Sequence, residues 1–359
     1  MKSQPDAPLL AVEHLTTVFT LGDGREAAAV NDVSFSIAKG ETLALVGESG
    51  SGKSVTALSI IRLVLPPGRI ASGRIGFDGQ QLETLGESAM RAIRGRRIGF
   101  VFQEPMAALD PVYTIGYQIR ETLAAHGLAR GAAGKKRAIE LLDAVRVPDP
   151  ARRAREYPHQ LSGGLRQRAM IALALCAEPS LLIADEPTTA LDVTVQAEVL
   201  DLLRDLRRTF NLTLLLITHD LGVVAEMADR VAVMYGGRIV EDAPVRTIFS
   251  SPAHPYTRGL IACVPSASGS PAEAVGPSGL PAEAMGSLGA KAGRLVAIPG
   301  TVPALGQLPP GCAFAPRCDR RFEPCDAHEP PAVRAGDDHT VRCFLFGGMP
   351  SSAPREIRR

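Results

Sequence analysis

No stretch of this 359-residue chain stays apolar long enough to cross a bilayer. The longest runs, "LTLLLI" and "IALALCA", fall far short of the about 20 residues a spanning helix needs. The opening "MKSQPDAPLLAVEHL" lacks the apolar core of a secretory signal. The expectation is a cytosolic protein that reaches a membrane only through a partner. Charge of one sign is also missing: 39 basic side chains face 38 acidic ones, for a formal charge of +1. That balance withholds support from nucleic-acid binding, which needs concentrated positive charge to release phosphate counterions. Six cysteines are present, but a cytosolic compartment argues against a disulfide framework and leaves metal binding or plain burial. What is there, 45% hydrophobic and 21% charged residues, is an ordinary globular composition. The length suits one large domain and a small second one.

Between about residues 9 and 240, short branched apolar runs alternate with helical stretches. "ETLALVG" (41–47), "RRIGFVFQ" (96–103), "SLLIADEP" (180–187) and "LTLLLITHD" (212–220) read as strands ending in polar or Gly residues, and "KSVTALSIIRLVL" reads as a helix after the first. The pattern predicts an α/β fold with a mostly parallel sheet and its chemistry at the carboxyl ends of the strands. Residues 104–160 lack strong strands. "GYQIRETLAAHGL" and "KKRAIELLDAV" carry apolar residues at helical spacing, which predicts an inserted helical subdomain, about 104–170. Residues 266–293, rich in Gly, Ser, Pro and Ala, read as a flexible linker.

"GESGSGKS" (47–54) fits G-x-x-x-x-G-K-[ST] between a strand and a helix. Its glycines, Gly47, Gly50 and Gly52, let backbone amides turn toward phosphate oxygens; Glu48, Ser49 and Ser51 complete the loop. Lys53 reaches the outer phosphates, and Ser54 offers a hydroxyl to Mg²⁺. "LLIADE" (181–186) brings Asp185 to the metal shell and Glu186 to the attacking water. "LSGGLRQR" (161–168) sets Ser162, Gly163 and Gly164 at a helix start, a second anion-binding geometry. Gln103 and His219 end two further strands.

In this order the stretches resemble the motifs of ATP-binding cassette (ABC) ATPases: Walker A at 47–54, Q-loop at Gln103, signature at 161–165, Walker B at 181–186, D-loop "ALD" at 190–192 and switch histidine at His219. The resemblance implies a RecA-like P-loop core with an antiparallel β subdomain, an inserted helical subdomain and, here, a small Cys-rich C-terminal domain. It implies a head-to-tail dimer in which Ser162, Gly163 and Gly164 of one copy meet the ATP held by the other, with Asp192 linking the two sites. Gln103 joins Ser54 and Asp185 around Mg²⁺, Glu186, His219 and Gln103 carry catalysis, and Phe19 stacks on adenine. The short span between Lys53 and Ser162 leaves no room for a long coiled-coil arm, and a single motif set disfavours tandem translation factors. Arg91, Arg94, Arg96 and Arg97 form the one obvious basic cluster, read as a solvated helix end ahead of phosphate or lipid binding.

"SSPAHPYTRGLIACVPS" and "IPGTVPALGQLPPGCAFAPRC" resemble the C-terminal box and tail of oligopeptide/dipeptide/nickel importer ATPases. This implies the nucleotide-binding subunit of a peptide importer, peripheral on the cytoplasmic face of the plasma membrane. Its partners would be two permeases, a second similar ATPase or another copy of itself, and an external solute-binding protein indirectly. The domains expected are an ATPase domain at 1–249, the box at 250–265, the linker at 266–293 and a Cys-rich region at 294–359. A nucleic-acid- or ribosome-associated ABC ATPase, or uptake of nickel, glutathione or another small solute, stands as the alternative. Cys312, Cys318, Cys325 and Cys343, spaced C-x5-C-x6-C-x17-C, lack the C-x2-C pairs of common zinc sites and also miss the usual ferredoxin spacings. Four buried thiols is the plain reading. The resemblance implies a [4Fe–4S] cluster, preferred over zinc. His328 and His339 are read as solvated loop histidines.

Overall fold

The computed structural model describes residues 7–189, 191–263 and 298–347. The expected linker, 266–293, and Ala190 of the "ALD" loop lie outside the described residues. Strands follow as β1 (Leu10–Thr20), β2 (Glu26–Ile37), β3 (Thr42–Val46), β4 (Gly68–Phe77), β5 (Gln80–Gln81), β6 (Ile98–Val101), β7 (Leu181–Asp185), β8 (Thr213–Thr218), β9 (Arg230–Tyr235), β10 (Arg238–Pro244), β11 (Val333–Gly336) and β12 (His339–Val341).

They form two sheets. One runs β2-β1-β4-β5 and is antiparallel; the other runs β11-β12-β10-β9-β3-β8-β7-β6 and is parallel from β9 to β6. Burial explains the difference. Every residue of β3, β7 and β8 is buried, as expected for parallel strands covered on both faces. Strand β2 alternates buried with accessible positions along much of its length, as a sheet with one wet face does. The register brings Val46 beside Thr218, Asp185 beside Ile217 and Val101 beside Ala184. Residues 47, 102, 186 and 219 therefore leave one edge of the sheet together, at the carboxyl ends where α/β folds bind ligands.

Helix α1 (Lys53–Ile60) follows β3. It stops before the end of "KSVTALSIIRLVL", because Arg62 turns the chain into the left-handed region at φ 55°. Its terminal carbonyls are met from elsewhere: Arg94 donates through Nε to Ile61 O at 2.7 Å and through Nη2 to Arg62 O at 3.1 Å. Arg96 donates to His126 O, and Arg97 pairs with Asp78. Three members of the basic cluster are thus committed to neighbouring groups, two of them at helix ends, where carbonyls lack intrahelical donors. Helix α2 (Glu87–Ile93) leads into β6.

Helices α3 (Pro105–Ala108), α4 (Ile115–Ala125), α5 (Gly131–Ala144), α6 (Pro150–Arg153) and α7 (Gly163–Leu175) make up the expected helical insertion. Its core joins Ile115, Ile119, Leu141 and Leu142 to α7 and to α8 (Val193–Phe210). Helix α8 buries Val199, Leu202, Leu203 and Leu206 at spacings of three and four. It begins on Asp192, whose carboxylate accepts from Val195 N at 3.0 Å, a cap worth about 1 kcal/mol. Helix α9 (Leu221–Met227) covers the sheet beyond β8, and α10 (Val245–Ser250) and α11 (Pro255–Ala262) follow β10.

The Cys-rich region does not stand apart as a small second domain. Strands β11 and β12 extend the large sheet through Glu241↔Val341, and Phe314 lies in the same core cluster as Tyr235 and Tyr256. The physical reason is size: a segment this short buries little surface by itself and is marginal as an independent fold. His339 is a further correction. It is buried rather than solvated, and its Nε2 lies 2.8 Å from Oε1 of the fully buried Glu241. The same carboxylate accepts the backbone N–H of Ala253 at 2.7 Å and of His254 at 2.8 Å, pinning the start of α11 to β10 and β12.

Candidate functional site

The loop between β3 and α1 wraps around the Lys53 side chain. Lys53 is buried, and its Nζ donates to the carbonyls of Gly47 at 2.8 Å and Glu48 at 3.0 Å. Burial draws its ammonium below the ordinary lysine range, while Glu186, Asp185 and Glu48 pull the other way. The loop is pressed against its neighbours. A Cβ on Gly52, at φ +104°, would lie 2.4 Å from the Ala29 carbonyl oxygen, so only glycine fits. The β9–β10 hairpin closes the far side. Its Gly236–Gly237 turn has positive φ at both residues, the two-residue geometry that matches strand twist, and Gly237 N donates to Ser51 O at 3.0 Å.

At the end of β7, Asp185 is buried. Burial raises its carboxyl above the usual range; the Ser54 hydroxyl opposes this, the Glu186 charge adds to it and Lys53 opposes it. Its Oδ1 has no hydrogen-bond partner. Glu186 follows in the left-handed region, at φ 47°, with its N–H bonded to Ile217 O at 2.8 Å. The carboxylate collects three groups. Oε2 accepts from Gln103 Nε2 at 3.1 Å and Thr189 Oγ1 at 2.9 Å, and Oε1 lies 3.3 Å from His219 Nδ1. Gln103 and His219, each unconvincing alone in the sequence, meet at one carboxylate because β6, β7 and β8 end side by side.

These groups border a cleft of about 510 Å³, within the size range of ligand pockets. Ser49, Gly50, Gly52, Lys53, Ser54, Gln103 and Glu186 line it, as does Phe19. Ser162, Gly163, Gly164 and Asp192 do not line it. Ser162 and Gly163 are exposed at the start of α7, with Ser162 Oγ accepting from Leu165 N, and Gly163 packs near Leu191 beside Asp192.

Sequence reasoning missed part of this cleft. Val302, Pro303, Ala304, Leu305 and Leu308, far along the chain, supply part of its wall. It also missed two fixtures on the phosphate-loop residue Glu48. Its N–H donates to the Tyr256 hydroxyl at 2.9 Å, and its carboxylate is held by Arg317 through two nitrogens, at 2.6 and 3.0 Å. A carboxylate inside a phosphate-binding loop was the available signal, since it demands a cation nearby.

Cys312, Cys318, Cys325 and Cys343 line one enclosed space together with His254, Phe314 and Phe344. Burial foremost, and then neighbouring sulfurs, push Cys312 up to about 12 and Cys343 up to about 11. Cys318 and Cys325 are raised too. Among the described residues no three His, Cys, Asp or Glu side chains are gathered for a single metal ion. No helix among them is long and apolar enough to cross a membrane.

Comparison with known proteins places this geometry. The sequence profile described as "ABC transporter" matches residues 30–189, and "Oligopeptide/dipeptide transporter, C-terminal region" matches 240–285 and 282–325. A protein of Brucella abortus (strain 2308), named for peptide import and ATP binding, is 52% identical over 94% of this chain and 97% of its own. A second such protein of the same strain is 49% identical over 90% of this chain and 91% of its own. Among solved structures, a dimeric ATP-binding cassette in a post-hydrolysis state with ADP and Pi superposes with a TM-score of 0.60 and 29% identity, covering 66% of this chain and 98% of that one. The cbiO1 subunit of the cbiONQ transporter complex from Clostridium perfringens gives 0.57 and 27%, covering 68% and 92%.

Proposed function

Since this chain belongs to the ABC transporter family of ATPases, we propose that it powers a membrane importer for di- and oligopeptides by binding and hydrolysing ATP as one of a pair of cassettes. The observation that carries the chemistry is the convergence of Gln103, Thr189 and His219 on Glu186, in the cleft that Lys53 also lines. The peptide assignment rests on the names of relatives about half identical over nearly the whole chain, and on the C-terminal match.

In this reading the triphosphate enters along the loop 47–54, and Lys53 exchanges the carbonyls of Gly47 and Glu48 for outer phosphate oxygens. Phe19 stacks on the base. Glu186 orients the attacking water and takes its proton as the γ-phosphorus–oxygen bond to ADP breaks. His219 and Gln103 hold the carboxylate and contact the γ-phosphate side. The residues suit Mg²⁺: Asp185 presents a buried oxygen with no partner, beside Ser54, and Gln103 reaches the same end. When bound, the ion neutralises charge on the β- and γ-phosphates.

Ser162, Gly163, Gly164 and Asp192, exposed or partly exposed and outside the chain's own cleft, are read as the part offered to the ATP of a second cassette, either another copy or a similar subunit. After Gln103, Met106, Val112, Tyr113 and Tyr117 are exposed, and the two tyrosine rings stack at 4.6 Å. This apolar surface suits the two permease subunits, which would keep the chain peripheral on the cytoplasmic face; the solute-binding protein acts through them. The four thiols line one space, and the resemblance of the tail to the peptide-importer subgroup is the ground on which a [4Fe–4S] cluster is preferred over zinc as its occupant. Zinc without acid-labile sulfide in anaerobically purified protein would reverse that preference.

The test is Glu186→Gln in the assembled complex. ATP binding should persist while turnover falls by about 10²-fold or more. Near-normal hydrolysis would sink the assignment. Stimulation of the wild-type ATPase by DNA or ribosomes, and never by permeases, would favour the non-transport alternative.

A further inference from the structure

Arg317 is almost fully buried, with its side chain 5% exposed, although it follows a Pro-rich stretch of the tail. Its guanidinium is fully engaged. Two nitrogens grip the Glu48 carboxylate, Nε donates to Pro299 O at 2.8 Å, and the plane lies over the rings of Tyr235 and Phe314 at 5.8 and 5.9 Å. Glu48 is thereby fixed from three sides: by Arg317, by the Tyr256 hydroxyl on its N–H, and by Lys53 on its carbonyl. The same stretch of chain also lines the cleft. Leu305 and Leu308 line it, and Gly306, at φ +82°, is packed so closely on the β1–β2 hairpin that a Cβ would lie 2.9 Å from Leu21 Cδ1. Leu308 also sits against Gly236, on the hairpin that bonds Ser51.

We propose that residues 298–317 are an integral wall of the nucleotide site, in which Arg317 positions the phosphate loop through Glu48 and the 302–308 segment faces the base. A free carboxylate at the second loop position would repel a polyphosphate. The bidentate arginine neutralises it and turns it away from the cleft. Because the wall folds with the thiol-lined region behind Phe314, nucleotide binding and packing of that region stabilise one another, and linkage makes the effect reciprocal. Arg317 is a positioning residue, since it touches the loop and not the nucleotide. This inference rests on the reading of 47–54 as the ATP site.

Equilibrium binding to the full chain tests it, with ATP and inorganic tripolyphosphate as probes. Arg317→Gln should weaken both about tenfold or more, because an unpaired Glu48 charge is left at the loop. Glu48→Gln in the Arg317→Gln background should restore binding to within about threefold of Glu48→Gln alone, which a merely structural arginine would not allow. Leu305→Ser, at an exposed position, should weaken ATP several-fold and leave tripolyphosphate unchanged. In the unaltered protein, ATP should slow hydrogen exchange across 298–318. Lys53→Ala separates the levels: if it binds ATP normally, the site reading itself fails. If Lys53→Ala abolishes binding while Arg317→Gln and Leu305→Ser bind as wild type, or if exchange at 298–318 ignores ATP, this inference alone is overturned.

Discussion

Replacing Glu241 probes the joint between the ATPase core and the C-terminal region. Its carboxylate is fully buried and takes three donors on two oxygens. Ala253 N and His339 Nε2 share Oε1, and His254 N meets Oε2. Glu241→Leu deletes the acceptor and strands all three. A buried donor without a partner costs about 1–3 kcal/mol. Allowing the His339 ring to reorient leaves two stranded donors and a loss of about 2–6 kcal/mol, a large share of a typical total of about 5–15 kcal/mol. Glu241→Gln is milder. With its oxygen at the Oε1 position it keeps Ala253 and His339 and strands only His254 N, costing about 1–3 kcal/mol. With its nitrogen there it keeps His254 and strands Ala253 N instead. Urea unfolding of wild type and both variants reads the order directly. A leucine variant as stable as the glutamine variant would refute the count of stranded donors.

Two further expectations follow from local geometry. Gly52→Ala places a Cβ 2.4 Å from the Ala29 carbonyl, so nucleotide binding should be lost while far-UV circular dichroism stays unchanged. Retained binding would contradict the packing of the loop on β2. Ser162→Arg alters an exposed residue outside the chain's own cleft, so ATP binding by the isolated subunit should stay within about twofold of wild type, whereas ATP-dependent association measured by light scattering should disappear. Undiminished association would remove the signature from the dimer contact.

Much of the ATPase core was legible because its signals are local. Strands buried on both faces must read as continuous apolar runs, as "TLALV" and "LLIAD" do, and a phosphate loop must carry glycines where a side chain would collide. The helical insertion announced itself by spacing. The end of α1 was misread since "IRLVL" has the composition of a helix, and only the turn at Arg62 and the carbonyls held by Arg94 stop it. His339 was misread for a similar reason: nothing near it in sequence announces a buried carboxylate 98 positions away.

The sequence by itself determined which motifs the chain carries, in what order, and that α/β architecture would carry them, because backbone conformation and strand burial depend on neighbouring residues. Only the tertiary structure decided which of those groups meet. Gln103 and His219 meet on the Glu186 carboxylate through strand register, while Arg317 returns to Glu48 of the β3–α1 loop, and residues of the 302–308 segment to the cleft, across more than half the chain. Such pairings are set by how sheets and rings pack in three dimensions, and that information has no local spacing to be read from.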